Sequence, residues 1–245
     1  MTDHETVLEA TGIDHDYGTV SVLQDVSATV RRGTVTTLIG PNGSGKTTLI
    51  RALAGLHEPT RGEVTYHGPQ TARRIGYLPQ HPAFRPGFTC LETLEFYASL
   101  VGIDRKAAAA YLEQVGLADA TDRPVEALSG GMTRLLGIAQ ATIGDPPVVV
   151  LDEPGSGLDP GMSAHVFDVA ADLADDGIAV LLSSHDLELV ERVADRVLVL
   201  SDGRIVERGS TATLEAEYGA DSLWSVYESV IEGDLDTVRV QGEHA

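Results

Sequence analysis

Cysteine is nearly absent. Cys90 is the only one in 245 residues, which excludes an internal disulfide and any cysteine-based metal site. Lysine is almost as scarce: Lys46 and Lys106 stand alone, and arginine supplies the rest of the 17 basic side chains. Against these stand 37 acidic residues, for a net charge of −20. So negative a surface argues against broad, non-specific attachment to nucleic acid or anionic membrane, although a local basic patch is compatible with it. Acidic excess with little lysine resembles the proteins of salt-loving organisms, and a GC-rich genome with an acidic proteome gives the same pattern. Long apolar runs are missing too. The longest candidates, around Val148–Leu151 and Ile178–Leu182, have the length of strands and fall well short of a membrane span. The opening M-T-D-H-E-T is polar and acidic and leads into no apolar segment, so no signal peptide is expected. The expectation is a soluble, cytoplasmic chain in which any membrane role falls to a separate partner.

What is present begins with Gly40-Pro41-Asn42-Gly43-Ser44-Gly45-Lys46-Thr47-Thr48, a match to G-x-x-x-x-G-K-[ST]. Thr34–Ile39 before it is β-branched and apolar, as a buried strand requires, and Thr48–Gly55 after it reads as a helix. Strand, glycine loop and helix in that order make a phosphate cradle. The glycines let successive N–H groups turn toward an anion, and the helix N-terminus adds partial positive charge. Lys46 can then reach the β/γ-phosphates, and the Thr47 hydroxyl can ligate Mg²⁺.

Around the cradle, Val7–Ile13 and Val26–Val30 read as strands flanking a turn-rich D-H-D-Y-G-T, and Arg31-Arg32-Gly33 as a tight turn. T-R-G-E-V-T-Y-H-G and R-R-I-G-Y-L-P-Q each hold a short strand, and Pro82–Thr89 reads as a loop. Leu91–Val101 has apolar residues at helical spacing, and Ala107–Val115 continues with helix formers. From Pro147 strands and helices alternate: V-V-V-L, a Gly161–Ala174 helix, I-A-V-L-L, a Leu187–Ala194 helix, R-V-L-V-L and R-I-V-E-R. Continuous apolar strands alternating with amphipathic helices indicate a parallel sheet covered on both faces. One more amphipathic piece, Leu223–Ile231, precedes a polar end at Gln241–Ala245.

Two further motifs carry chemistry. The Val148–Leu151 strand delivers Asp152 and Glu153 at its C-terminal end, where open α/β sheets bind ligands. Alone this would be a solvated acidic turn. With the glycine loop it supplies a Mg²⁺ carboxylate, Asp152, and a group to polarise water, Glu153, for phosphoryl transfer. Leu128-Ser129-Gly130-Gly131-Met132 opens a helix running to about Gly144, either a second phosphate-binding surface or a Ser N-cap with a flexible turn.

The combination of L-S-G-G before V-V-V-L-D-E, after a glycine-loop cradle and an inserted helical segment, resembles an ABC-transporter ATP-binding subunit over about Val7–Gly209. The resemblance implies an α/β fold: a P-loop NTPase core with a mostly parallel sheet, an N-terminal antiparallel β subdomain and an inserted α-helical subdomain. One ABC ATPase domain is expected over about 1–232, with 1–33 and 57–78 as the antiparallel part. The core is expected at 34–56 and 145–210, the helical subdomain at 82–144, and a short helix and polar tail at 211–245. It also implies roles. Tyr17 matches the adenine-stacking aromatic, and Gln80 the glutamine that contacts Mg²⁺ and the attacking water. Glu153 is the implied general base, His185 in L-L-S-S-H-D the γ-phosphate histidine, and Asp159 in S-G-L-D the residue that organises the partner's site. Ser129, Gly130 and Gly131 would close over the partner's ATP in a head-to-tail homodimer or heterodimer. The remaining histidines show no metal-ligand spacing.

Departures from the family pattern are Met132 for the usual glutamine, Arg134 and Leu135 for Gln or Lys and Arg, Gln140 for arginine, and Gly155 for threonine. Met132 is similar to the branch serving multi-span exporters and to some copper-related systems. The implied function is a cytoplasmic Mg²⁺-ATPase, peripheral on the inner face of the membrane, that drives a separate permease docking near residues 80–101. Export is favoured over import because little chain follows Ile231 and Leu223–Ile231 resembles the closing helix of exporter-type subunits. The alternatives are a soluble ABC-type ATPase, such as one in iron-sulfur cluster assembly, and a regulatory module that binds ATP without hydrolysing it.

Overall fold

The structure is a computed structural model that describes residues 4–231. The polar end at Gln241–Ala245 lies outside the described residues. The core is a six-stranded sheet in the order β5-β6-β7-β3-β8-β9. Its strands are β3 (Val35–Ile39), β5 (Ile75–Leu78), β6 (Val148–Leu151), β7 (Ala179–Ser183), β8 (Arg196–Ser201) and β9 (Arg204–Gly209). All pair in parallel except β9, which returns antiparallel on β8. Every residue of β3, β6 and β7 is buried, which accounts for their largely apolar sequences, broken only by Thr36, Thr37 and Ser183.

Alternate residues of these strands serve two cores. Val149, Leu151, Val180 and Leu182 face a large helical layer, while Val148, Val150, Ala179 and Leu181 face the opposite side. That opposite layer is α1 (Lys46–Leu53) together with a three-stranded antiparallel sheet of β1 (Thr6–Tyr17), β2 (Val20–Arg31) and β4 (Arg61–Tyr66), in the order β2-β1-β4. The helical layer holds α2 (Cys90–Leu100), α3 (Ala108–Gln114), α4 (Gly130–Thr142), α5 (Pro160–Asp175) and α6 (Leu187–Val193). A cap is written locally for most of these helices. Thr89 and Glu92 form a capping box on α2, Ser129 caps α4, and Asp159 caps α5 ahead of Pro160.

Three expectations need correction. The segment at 57–78 is not all antiparallel: β4 joins the small sheet, but β5 pairs in parallel with β6 at the edge of the core sheet. Its half-buried alternating pattern suits either partner. The D-H-D-Y-G-T stretch is largely strand, and the turn shrinks to Gly18 and Thr19, with Gly18 at φ 64°. Register shifts in β1 let polar residues continue the strand through the expected turn. Finally, the 211–245 stretch, expected to hold one short helix, holds a further one ahead of it, α7 (Thr211–Tyr218), which buries only Leu214 and so shows no apolar period. The Leu223–Ile231 expectation is met by a helix at 223–231 that sinks Leu223 and Val226 into the helical core.

Candidate functional site

The cradle follows directly from β3. Gly40 closes against β8, where a Cβ would stand 2.0 Å from the Leu200 carbonyl oxygen, so only glycine fits. Gly45 enters α1 at φ 103°, and no side chain caps that helix. The first N–H groups of α1 are therefore left for an anion. The Lys46 ammonium is buried and donates to the carbonyls of Gly40 (2.8 Å) and Pro41 (3.1 Å). Burial pushes its pKa down, against the opposing pull of Glu153 and Asp152. In the same loop, Ser44 keeps a buried hydroxyl with no hydrogen-bond partner among the described residues.

Across the sheet, β6 ends in the carboxylates. Asp152 is fully buried and accepts from the Ser183 hydroxyl (3.0 Å) and the Thr47 hydroxyl (3.3 Å) through one oxygen, Oδ1. Its other oxygen, Oδ2, is buried and has no hydrogen-bond partner among the described residues. An unsatisfied carboxylate oxygen beside a threonine hydroxyl is an all-oxygen donor set of the kind Mg²⁺ takes, so these residues fit that ion. Glu153 adopts a left-handed φ of 48° and is held there by its N–H donating to Ser183 Oγ (2.9 Å). Its Oε2 lies 2.8 Å from Nδ1 of His185, just beyond β7.

A cleft of about 330 Å³ runs between the glycine loop and Glu153, with Asp152 and His185 beside it rather than lining it. Tyr17, Asn42, Gly43, Gly45, Lys46, Thr47, Thr48, Gln80 and Glu153 all line it. Tyr17 stands half exposed and bonds His57 Nδ1 through its hydroxyl (3.2 Å), with His15 edge-on at 4.8 Å. Ser129, Gly130, Gly131 and Asp159 do not line the cleft. They are grouped elsewhere, where α4 meets α5: a Cβ on Gly131 would lie 2.1 Å from Met162 Cγ, and one on Gly130 3.7 Å from Leu158. Ser129 Oγ accepts from Met132 N (3.3 Å) and Asp159 Oδ1 from Met162 N (3.0 Å), so both act as helix caps here.

Sequence reasoning missed Ser183, which donates to the Asp152 carboxylate and accepts from the Glu153 N–H. Its place two residues before His185 in L-L-S-S-H-D was the available signal. It also missed His57, and it treated Arg134 only as a departure. Gly155 is explained by packing, since a Cβ there would meet Ser163 Oγ at 2.5 Å and the Phe167 ring at 3.2 Å. Outside the cleft, α2 exposes Phe96 and Leu100, with Phe88 edge-on to Phe96 and Arg85 over the Phe88 ring.

Comparison with known proteins gives consistent results. Residues 23–156 match the model of the family described as ABC transporter. The chain is 37% identical to daunorubicin resistance ATP-binding protein DrrA3 of Streptomyces coeruleorubidus, over 89% of this chain and 73% of that protein. It is 36% identical to Nod factor export ATP-binding protein I of Ralstonia nicotianae, over 88% and 71% of the two chains. Linearmycin resistance ATP-binding protein LnrL of Bacillus subtilis is 32% identical over 89% and 73%. Among solved structures, an ATP-binding subunit of an ABC transporter superposes with a TM-score of 0.81 at 30% identity, covering 92% of this chain and all of that one.

Proposed function

The chain belongs to the ABC transporter family as an ATP-binding subunit, an ABC-type ATPase, and we propose that it powers a separate membrane permease through ATP-driven head-to-tail dimerisation. One observation carries the reading. The cleft gathers Lys46, Thr47, Gln80 and Glu153 from one side of the site, while Ser129–Gly131 and Asp159 sit together outside it. A nucleotide in the cleft thus leaves one side open for the Ser129–Gly131 surface of a second cassette, either another copy of this chain or a related subunit.

In this reading the N–H groups of Gly43–Thr48 and the Lys46 ammonium hold the phosphates, and Tyr17 stacks on the adenine. Mg²⁺, when bound, neutralises phosphate charge and polarises the transferred group. Thr47, Asp152 and Gln80 are the residues to hold it. Glu153 takes a proton from the attacking water, as its place at the cleft wall allows. His185, hydrogen-bonded to Glu153, orients that carboxylate and reaches the γ-phosphate.

The permease would dock on the loop after Gln80 and the exposed α2 face of Phe96 and Leu100, placing the subunit on the cytoplasmic side of a membrane. No helix among the described residues is long and apolar enough to cross a membrane itself. Export is favoured because relatives carry names from daunorubicin resistance, Nod factor export and linearmycin resistance. The acidic, lysine-poor surface suits work in concentrated salt.

The decisive experiment is Glu153→Gln. ATP with magnesium should convert this variant to a stable dimer by size-exclusion chromatography, with turnover reduced about a thousandfold. Normal phosphate release by the variant would remove Glu153 from its role.

A further inference from the structure

Arg134 lies in the second turn of α4 and is buried to 5% exposure. A lone arginine there would ordinarily face solvent or pair with a carboxylate. Its guanidinium instead collects main-chain carbonyls from two loops. Nη1 donates to Pro79 O (3.4 Å) and to Gln80 O, and Nη2 donates to Ser156 O (3.2 Å). The first loop carries Gln80 into the cleft, and the second runs from Glu153 to Asp159. The same helix begins at the Ser129–Gly131 turn, five residues before Arg134.

We propose that Arg134 is a positioning residue that couples the Ser129–Gly131 half of the ATP site to the Gln80 half within one subunit. The inference rests on the head-to-tail reading above. A helix is stiff along its axis, so a pull on its N-terminus moves Arg134 with it. The planar fork then carries that displacement to two loops at once, in directions that a lysine's single ammonium cannot serve together. Engagement of Ser129–Gly131 by the partner's nucleotide thereby sets Gln80 over this subunit's own nucleotide and sets Asp159 toward the partner. One cation links the two sites of the dimer.

The test uses R134Q and R134K, each in the wild-type and E153Q backgrounds, with ATP and magnesium. Nucleotide affinity of the isolated monomer, read with a fluorescent ADP analogue, should stay within about twofold, because Arg134 does not line the cleft. The kcat should fall by about tenfold or more, and the Hill coefficient for ATP should drop from about 2 toward 1. Hydrogen exchange at residues 79–80 and 155–159 should lose its ATP-induced protection. R134K should restore thermal stability without restoring cooperativity, which a merely structural role would not separate, and it carries the test alone if R134Q fails to fold. Variants with wild-type kcat and cooperativity, alongside an E153Q protein that dimerises normally, would overturn this inference alone. An E153Q protein that never dimerises would overturn both readings.

Discussion

Lys46, proposed above to hold phosphate, brings little gain to the fold. Its ammonium is buried, donates to two carbonyls, and has its pKa lowered by that burial. Lys46→Met removes the desolvation cost and strands two acceptors, terms of about 1 kcal/mol each that act in opposite directions. Stability of the nucleotide-free protein should therefore change by less than about 1 kcal/mol, while the rise in Tm on adding ATP and magnesium disappears. A variant that keeps the ATP-induced rise would take Lys46 out of the cradle. The convergence of Lys46, Thr47, Asp152 and Glu153 was legible in the sequence because each lies in a contiguous motif at a strand end. Arg134, Ser183 and His57 were not, since their partners come from distant loops: Arg134 meets carbonyls of residues 79, 80 and 156.

Among the elements, β5 connects the Gln80 loop to the core. Gly76 lies so close to α4 that a Cβ would stand 2.0 Å from the Ala141 carbonyl oxygen. Neither partner there is a flexible side chain, so Gly76→Ala must push strand from helix. A loss of roughly 3 kcal/mol is expected in urea unfolding, with weaker hydrolysis because Gln80 follows the strand. A loss below about 1 kcal/mol would show that β5 tolerates displacement. The existence of the central strands was legible because both faces of β3, β6 and β7 are covered and every residue is apolar, apart from the threonines of β3 and Ser183 at the end of β7. The sheet that β5 joins was not, since alternating burial records only that one face is covered. For α7 nothing was legible, as a helix that buries one leucine leaves no period to read.

At the scale of the whole molecule, charge opposes assembly. In the proposed dimer, two chains of net charge −20 would meet across their nucleotide faces. Repulsion between them is screened over about 10 Å at 0.1 M salt and about 3 Å at 1 M. The ATP-locked dimer of E153Q should thus tighten steeply as KCl rises from tenths of molar to molar, read by sedimentation at fixed protein concentration. A dimer indifferent to salt would separate the acidic surface from assembly. The left-handed backbone of Glu153 has a longer-term consequence. That conformation costs an ordinary side chain about 1 kcal/mol that glycine or asparagine would largely avoid. A gene copy released from the need to turn over ATP would gain stability by losing this carboxylate. The position is therefore where a duplicated subunit would first decay into a silent companion of an active one, its fold intact and its other ATP contacts unchanged.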